Sequence, residues 1–174
     1  MDAYRSESAL TSSEDERFMR MAIDEAVSAA GRGELPVGAV IVRDGEPVCR
    51  ASNLTERESC ALSHAELNAM RSACEKLRVK TLSGCTLYVT LEPCPMCAGA
   101  IFLARPDRVV FGAADAEYGA FGGKFDLFEL SGFSGSRPAV TGGVLSEECS
   151  AMLKAFFGKK RGQPQKPWRK KLVL

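Results

Sequence analysis

One histidine and one Pro-Cys-Pro-Met-Cys run leave this chain few choices about what its fold must bring together. The histidine is His64, in His64-Ala65-Glu66, and the run is Pro93-Cys94-Pro95-Met96-Cys97. Two thiols and an imidazole make a donor set that favours zinc. Cys94 and Cys97 stand three apart, so on a helix they project from one face. They fall in a first turn, where free N–H groups and the helix dipole favour thiolate over thiol. Pro93 and Pro95 suit that helix start, because a missing N–H costs little there. His64 supplies the third ligand from the start of a different helix, so the fold must join two helix N-termini. Three protein ligands leave one tetrahedral position for water, as in a catalytic rather than a structural zinc site. Zinc brings the pKa of such a water from 15.7 to about 7. Glu66 is placed to carry protons for that water without ligating the metal.

Other readings of the same residues stay open at this level. A lone Cys-x-x-Cys also serves structural or redox roles, and a lone histidine is often a core or surface residue. With Cys60, Cys74 or Cys85 as a fourth ligand the metal would be closed off, and the protein would be a binding module. A structural site, however, needs neither an acid at Glu66 nor a Pro-Cys helix start.

A length of 174 residues predicts one domain with a proper core, and 45% hydrophobic with 26% charged residues is ordinary for a soluble globular chain. No apolar run approaches the roughly 20 residues needed to span a bilayer, which predicts no membrane association. The first residues carry no basic start or apolar stretch of the secretory kind. Seven cysteines without a regular framework predict a reducing, cytoplasmic setting. The net charge of +1 conceals an uneven distribution. Residues 158–174 carry seven Lys or Arg and no acid, leaving 16 basic and 22 acidic residues on the remainder. A basic tail on an acidic body is a handle for a polyanion, or else a solvated terminus. The expected organisation is a disordered 1–12, a catalytic domain over 13–157 and a basic tail over 158–174.

Along the chain, Ser13 and Glu16 are spaced as a capping box. Phe18, Met21, Ala22, Ala26, Ala29 and Ala30 then recur at helical spacing until Gly31 and Gly33. Val37 to Val42 predicts a strand, and Asp44-Gly45 a two-residue hairpin turn into a second strand over 46–50. A polar loop over 51–63 leads to a helix near His64 to Leu77. Cys85 to Leu91 predicts a buried strand, Ala98 to Ala104 a helix, and Arg108 to Gly112 another strand, connected right-handedly. A Gly- and Ala-rich loop follows to residue 123. Val140 belongs to an edge strand, and Ser146 opens a last helix ending near Phe157. The order α-β-β-α-β-α-β-β-α predicts an α/β sandwich.

The H-x-E and P-C-x-x-C pairing is the signature of zinc-dependent nucleobase deaminases, in which hydroxide adds to an amino-substituted ring carbon and ammonia leaves. The chain resembles the bacterial tRNA-specific adenosine deaminases of the cytidine deaminase superfamily from Phe18 to Phe157. The similarity is carried by Glu34-Leu35-Pro36-Val37-Gly38-Ala39-Val40, Gly84 through Glu92, Cys97-Ala98-Gly99-Ala100-Ile101, Arg108 through Ala113, and Gly142-Gly143-Val144-Leu145. It implies a three-layer α-β-α sandwich with a five-stranded mixed sheet, a homodimer, and conversion of adenosine to inosine at the wobble position of the tRNA anticodon stem-loop. It implies His64, Cys94 and Cys97 as zinc ligands and Glu66 as proton shuttle. It further implies Asn53 as a hydrogen-bonding partner of the base, and Pro36, Val37 and Gly38 as pocket wall. Asp115 would lie near the nucleotide backbone, and Phe156 with Phe157 would contact RNA. The usual Asn-His pair before the last strand is replaced by Ser134-Gly135-Ser136-Arg137, in which Arg137 is the candidate anion contact. Two alternatives share these motifs: a deaminase of a free base, nucleoside or other small heterocycle, and a non-catalytic RNA-binding accessory subunit.

Overall fold

The computed structural model describes residues 13–130 and 137–160, the last two by backbone alone. In chain order the elements are α1 (Ser13–Gly31), β1 (Gly38–Arg43), β2 (Glu46–Ser52), α2 (Ala65–Leu77) and β3 (Cys85–Leu91). They continue with α3 (Pro95–Ala104), β4 (Arg108–Ala113), a 3-10 turn (Leu127–Glu129), β5 (Ala139–Gly142) and α4 (Ser146–Lys160). The sheet order is β2-β1-β3-β4-β5. β1 runs antiparallel to β2 and β3, while β3, β4 and β5 are mutually parallel, so the sheet is mixed as expected.

Strand alternation divides the apolar residues between two cores. Ala39, Ile41, Leu87, Val89, Val109 and Phe111 pack with Ala65, Ala69, Ala73, Ala98 and Ile101 of α2 and α3. Val40, Val42, Tyr88 and Val110, each one residue out of step, pack with Phe18, Met19 and Ala22 of α1 and Cys149 of α4. Both sheet faces are therefore covered, which is why the strands read as unbroken apolar runs rather than alternating ones. The result is the three-layer α-β-α sandwich.

Several local expectations are refined. Asp44 and Gly45 adopt φ 52° and 75°, the left-handed pair that a tight hairpin between Arg43 and Glu46 requires. Ser13 is itself helical rather than the cap of α1, and the first-turn acid that matters is the buried Asp15. Met19, not Met21, joins the buried stripe, because the helix turns the 15, 18, 19, 22, 26 and 29 positions inward. α3 begins at Pro95 with Cys94 as its N-cap, at the Pro-Cys start expected, and continues to Ala104. α4 continues through Lys160, so the first residues of the basic segment prolong a helix. Residues 1–12, 131–136 and 161–174 lie outside the described residues, and with them the expected disorder of the N-terminus, the Ser134–Ser136 loop and most of the basic tail.

Candidate active site

The parallel strands β3 and β4 point their carboxyl ends at one place, and the crossover helix α3 starts there. This is where open α/β sheets collect ligands. His64 is the N-cap of α2 and Cys94 the N-cap of α3, both with extended backbone and neither capping its helix with its side chain. A Ser, Thr or Asp would be the favourable cap at each position. Here the side chains face each other instead, and the two helix N-termini leave N–H groups and positive dipole ends beside thiol and carboxyl groups.

His64 Nδ1 lies 3.5 Å from Cys97 Sγ and 3.8 Å from Cys94 Sγ. The three donor atoms all fall within 4.8 Å of one another. A tetrahedral zinc with Zn–S of about 2.3 Å and Zn–N of about 2.05 Å separates sulfur from nitrogen by about 3.6 Å. The residues therefore fit the ion. Among the described residues, Cys60, Cys74 and Cys85 do not join the group, which leaves the donor set at three.

The electrostatics of the three donors are strongly coupled. Cys97 donates to Cys94, and this bond, with the imidazole, draws the Cys94 thiol down to about 4 against the cost of burial. The same bond and burial push the Cys97 thiol well above its ordinary range. Contact with Cys94 raises His64, and the nearby Glu66 adds to the effect. The protons held in this cluster are those a metal ion displaces on binding. Glu66, on the first turn of α2, is only 4% exposed, and burial raises its carboxyl above the usual range. A buried carboxyl held above its usual range retains a proton more readily, which suits proton transfer in a deamination.

A cavity of about 400 Å³ opens on these groups. His64, Glu66 and Cys94 form part of its lining, and Asn53, Val37 and Asp115 form another. Leu35, Leu91, Met96 and Tyr118 add apolar and aromatic surface. Asn53 is 3% exposed, and its backbone N–H bonds to Val37 O at 3.0 Å, so the end of β2 and the entry to β1 hold it together. Asp115 accepts from the N–H groups of Glu117 (2.8 Å) and Tyr118 (3.1 Å); it caps a turn and lines the cavity at once.

Other sequence candidates lie elsewhere. Pro36 is buried without lining the cavity. Gly38 faces the opposite side of the sheet, where a Cβ would collide with the Ala22 carbonyl of α1; it allows the helix to lie close rather than shaping a pocket wall. Phe156 and Phe157 do not line the cavity either. They form an edge-on ring pair 5.7 Å apart on α4, with Phe156 half-buried and Phe157 48% exposed, so Phe157 is not a core residue. Arg137 is bound to Asp126 at 2.5 Å, so its charge already has a partner.

Sequence reasoning missed two buried acids. Glu92, 1% exposed and next to the Pro-Cys turn, accepts from the backbone N–H groups of Asp115 (2.9 Å), Phe121 (2.9 Å) and Gly123 (2.8 Å). It gathers the whole Gly-rich loop, and a Cβ at Gly119 or Gly123 would collide with its carboxylate. Glu34, also 1% exposed, accepts from Asn53 and from two backbone N–H groups. The glycines of the first loop and the charge of Glu34 in an otherwise apolar stretch were the available signals.

Comparison with known proteins agrees with this geometry. Residues 12–113 match the family model described as the cytidine and deoxycytidylate deaminase zinc-binding region. The chain is 49% identical over 144 residues to a tRNA-specific adenosine deaminase of Bacillus subtilis (strain 168), covering 83% of this chain and 89% of that protein. A solved structure from a study of A-to-I editing by tRNA:A34 deaminases superposes with a TM-score of 0.74 at 40% identity, covering 79% of this chain and 99% of that one. A guanine deaminase structure from Bacillus subtilis superposes with a TM-score of 0.56 at 31% identity, covering 88% and 98%.

Proposed function

This chain belongs to the cytidine and deoxycytidylate deaminase zinc-binding family, and from that premise we infer that it is a zinc-dependent hydrolase converting adenosine to inosine at the wobble position of tRNA. The observation that carries the chemistry is a buried carboxyl, Glu66, that lines one cavity with His64 and Cys94, two members of a three-donor metal set completed by the buried Cys97. His64, Cys94 and Cys97 hold the zinc, which when bound supplies a Lewis acid that makes water a nucleophile at neutral pH. Glu66 takes one proton from the attacking water and delivers it to the ring nitrogen beside the reacting carbon, then takes the second from the hydroxyl added to that carbon and passes it to the amino group, which leaves as ammonia. Asn53 hydrogen-bonds the base, and Val37 supports its apolar face. Asp115 lies toward the nucleotide backbone.

A cavity of about 400 Å³ admits a nucleobase but not a helical RNA. The target adenosine must therefore be splayed out of its loop into the site, the usual manner of recognising a base in single-stranded RNA. The exposed Phe157 and the basic segment after it offer contacts to the RNA outside the cavity. A homodimer accords with the exposed apolar side chains Leu103 (72%) and Leu62 (61%). Seven unpaired cysteines accord with a reducing cytoplasm. Among the described residues, no helix is long and apolar enough to cross a membrane.

The deciding experiment is inosine formation in an arginine-tRNA anticodon stem-loop carrying adenosine at position 34. Conversion by the parent protein supports the reading. No conversion by zinc-loaded protein removes the tRNA assignment and directs attention to ammonia release from free bases such as guanine.

A further inference from the structure

We propose that Glu34 is a positioning residue for deamination, acting through Asn53. The proposal rests on the reading of Asn53 as the residue that hydrogen-bonds the base. Glu34 does not line the cavity and is 1% exposed, so it cannot touch the substrate itself. A carboxylate so deeply buried is sustained only if donors surround it. Its donors are the backbone N–H of Glu56 at 3.0 Å, the backbone N–H of Arg57 at 2.7 Å, and Asn53 Nδ2 at 3.2 Å. The two backbone bonds build the loop. The third reaches a side chain that lines the cavity, and loop-building alone does not require it.

That third bond selects one orientation of the amide. A carboxylate oxygen only accepts, so it must face the amide nitrogen and not the amide oxygen. The second hydrogen of the same nitrogen goes to Thr55 Oγ1 at 2.8 Å. Both hydrogens of Nδ2 are thus committed, and the flip that turns Oδ1 toward Glu34 is excluded by lone-pair repulsion. Asn53 meets the base already oriented, so that ordering the amide costs nothing at the moment of reaction. A glutamine at position 34 presents a donor where these N–H groups need acceptors, and the orientation of Asn53 is no longer determined.

The test is a double-mutant cycle on the stem-loop substrate, using zinc-loaded full-length protein. Glu34→Gln should lower kcat/KM about ten-fold or more, the scale of a lost charge-assisted hydrogen bond. In an Asn53→Ala background the same change should lower kcat/KM by less than about two-fold, because there is no amide left to orient. Equal losses in both backgrounds, or an unchanged kcat/KM in Glu34→Gln alone, would overturn the proposal while leaving Asn53 in place. Full activity in Asn53→Ala would instead overturn the reading of Asn53, and the proposal with it. Thr55→Val keeps the buried carboxylate intact and decides the matter if Glu34→Gln does not fold. It should give a smaller loss that again vanishes without Asn53, and a loss that persists there counts against the proposal.

Discussion

Glu66 and the three proposed ligands differ in kind although they lie side by side. His64, Cys94 and Cys97 converge within 4.8 Å, while Glu66 is held on the same helix turn as His64 without entering that group. Removing a ligand and removing the acid should therefore have different signatures. Glu66→Ala should retain stoichiometric zinc and lose about 10²–10⁴ in turnover, the range of general acid–base catalysis. Metal content by atomic absorption and single-turnover inosine formation check the two halves of that statement. Turnover near the parent level would remove Glu66 from the proton path. Glu92 lines the same cavity but is engaged differently: its carboxylate accepts from three backbone N–H groups of the loop bearing Asp115 and Tyr118.

At the level of elements, α1 is fastened to the face of the sheet opposite α2 and α3. Asp15 of α1 is 4% exposed and receives both guanidinium nitrogens of Arg108, at 2.7 and 2.9 Å, and the Tyr88 hydroxyl at 2.9 Å. Arg108 also donates to Thr141 at 2.9 Å, so one cluster joins α1, β3, β4 and β5. Burial first, and then the bond to Asp15, raise the Tyr88 phenol above its ordinary value near 10. A raised pKa in the folded state means the folded chain keeps this proton longer than the unfolded one. The stabilisation is thus complete below about pH 10 and declines as pH rises beyond it toward the folded value. Tyr88→Phe should cost roughly 1 kcal/mol at neutral pH for the lost hydrogen bond. Its stability should then fall less steeply above about pH 10 than that of the parent. Urea titrations at neutral and alkaline pH make the comparison, and parallel slopes in the two proteins would count against it.

Across the whole molecule, charge is distributed to suit a large anionic substrate. Seven Lys or Arg and no acid fall within residues 158–174, next to a body with 16 basic and 22 acidic residues. α4 carries the first of these residues onward as helix to Lys160, directly after the exposed Phe157. Deleting the residues beyond Lys160 should weaken binding of the stem-loop and flatten the dependence of log K on log salt. The slope should change by roughly 0.7 for each single-strand phosphate that the shortened protein no longer neutralises. Filter binding at several salt concentrations checks this, and an unchanged slope makes the segment a spectator. Light scattering should return the mass of two chains, and Leu103→Arg should shift it toward one if that exposed leucine is part of the interface.

Much of this was legible along the chain because it rests on local chemistry. Proline beside cysteine at a helix start, an Asp-Gly hairpin and apolar runs buried on both faces each express a preference within a few residues, and each appears where expected. The grouping of His64, Cys94 and Cys97 was legible for the same reason: two thiols at a helix start and one histidine at another form a set able to hold a metal ion. Gly38 and Phe156-Phe157 could not be placed this way, since which face a glycine or an aromatic pair meets depends on elements distant in sequence. The roles of Glu34 and Glu92 were equally hidden. An isolated acid reads as a solvated surface charge, and it becomes a buried organiser only when long-range packing brings unpaired backbone N–H groups around it. Local preferences settle what a segment can be, whereas the partners of a buried polar group are settled by the closure of the fold around it.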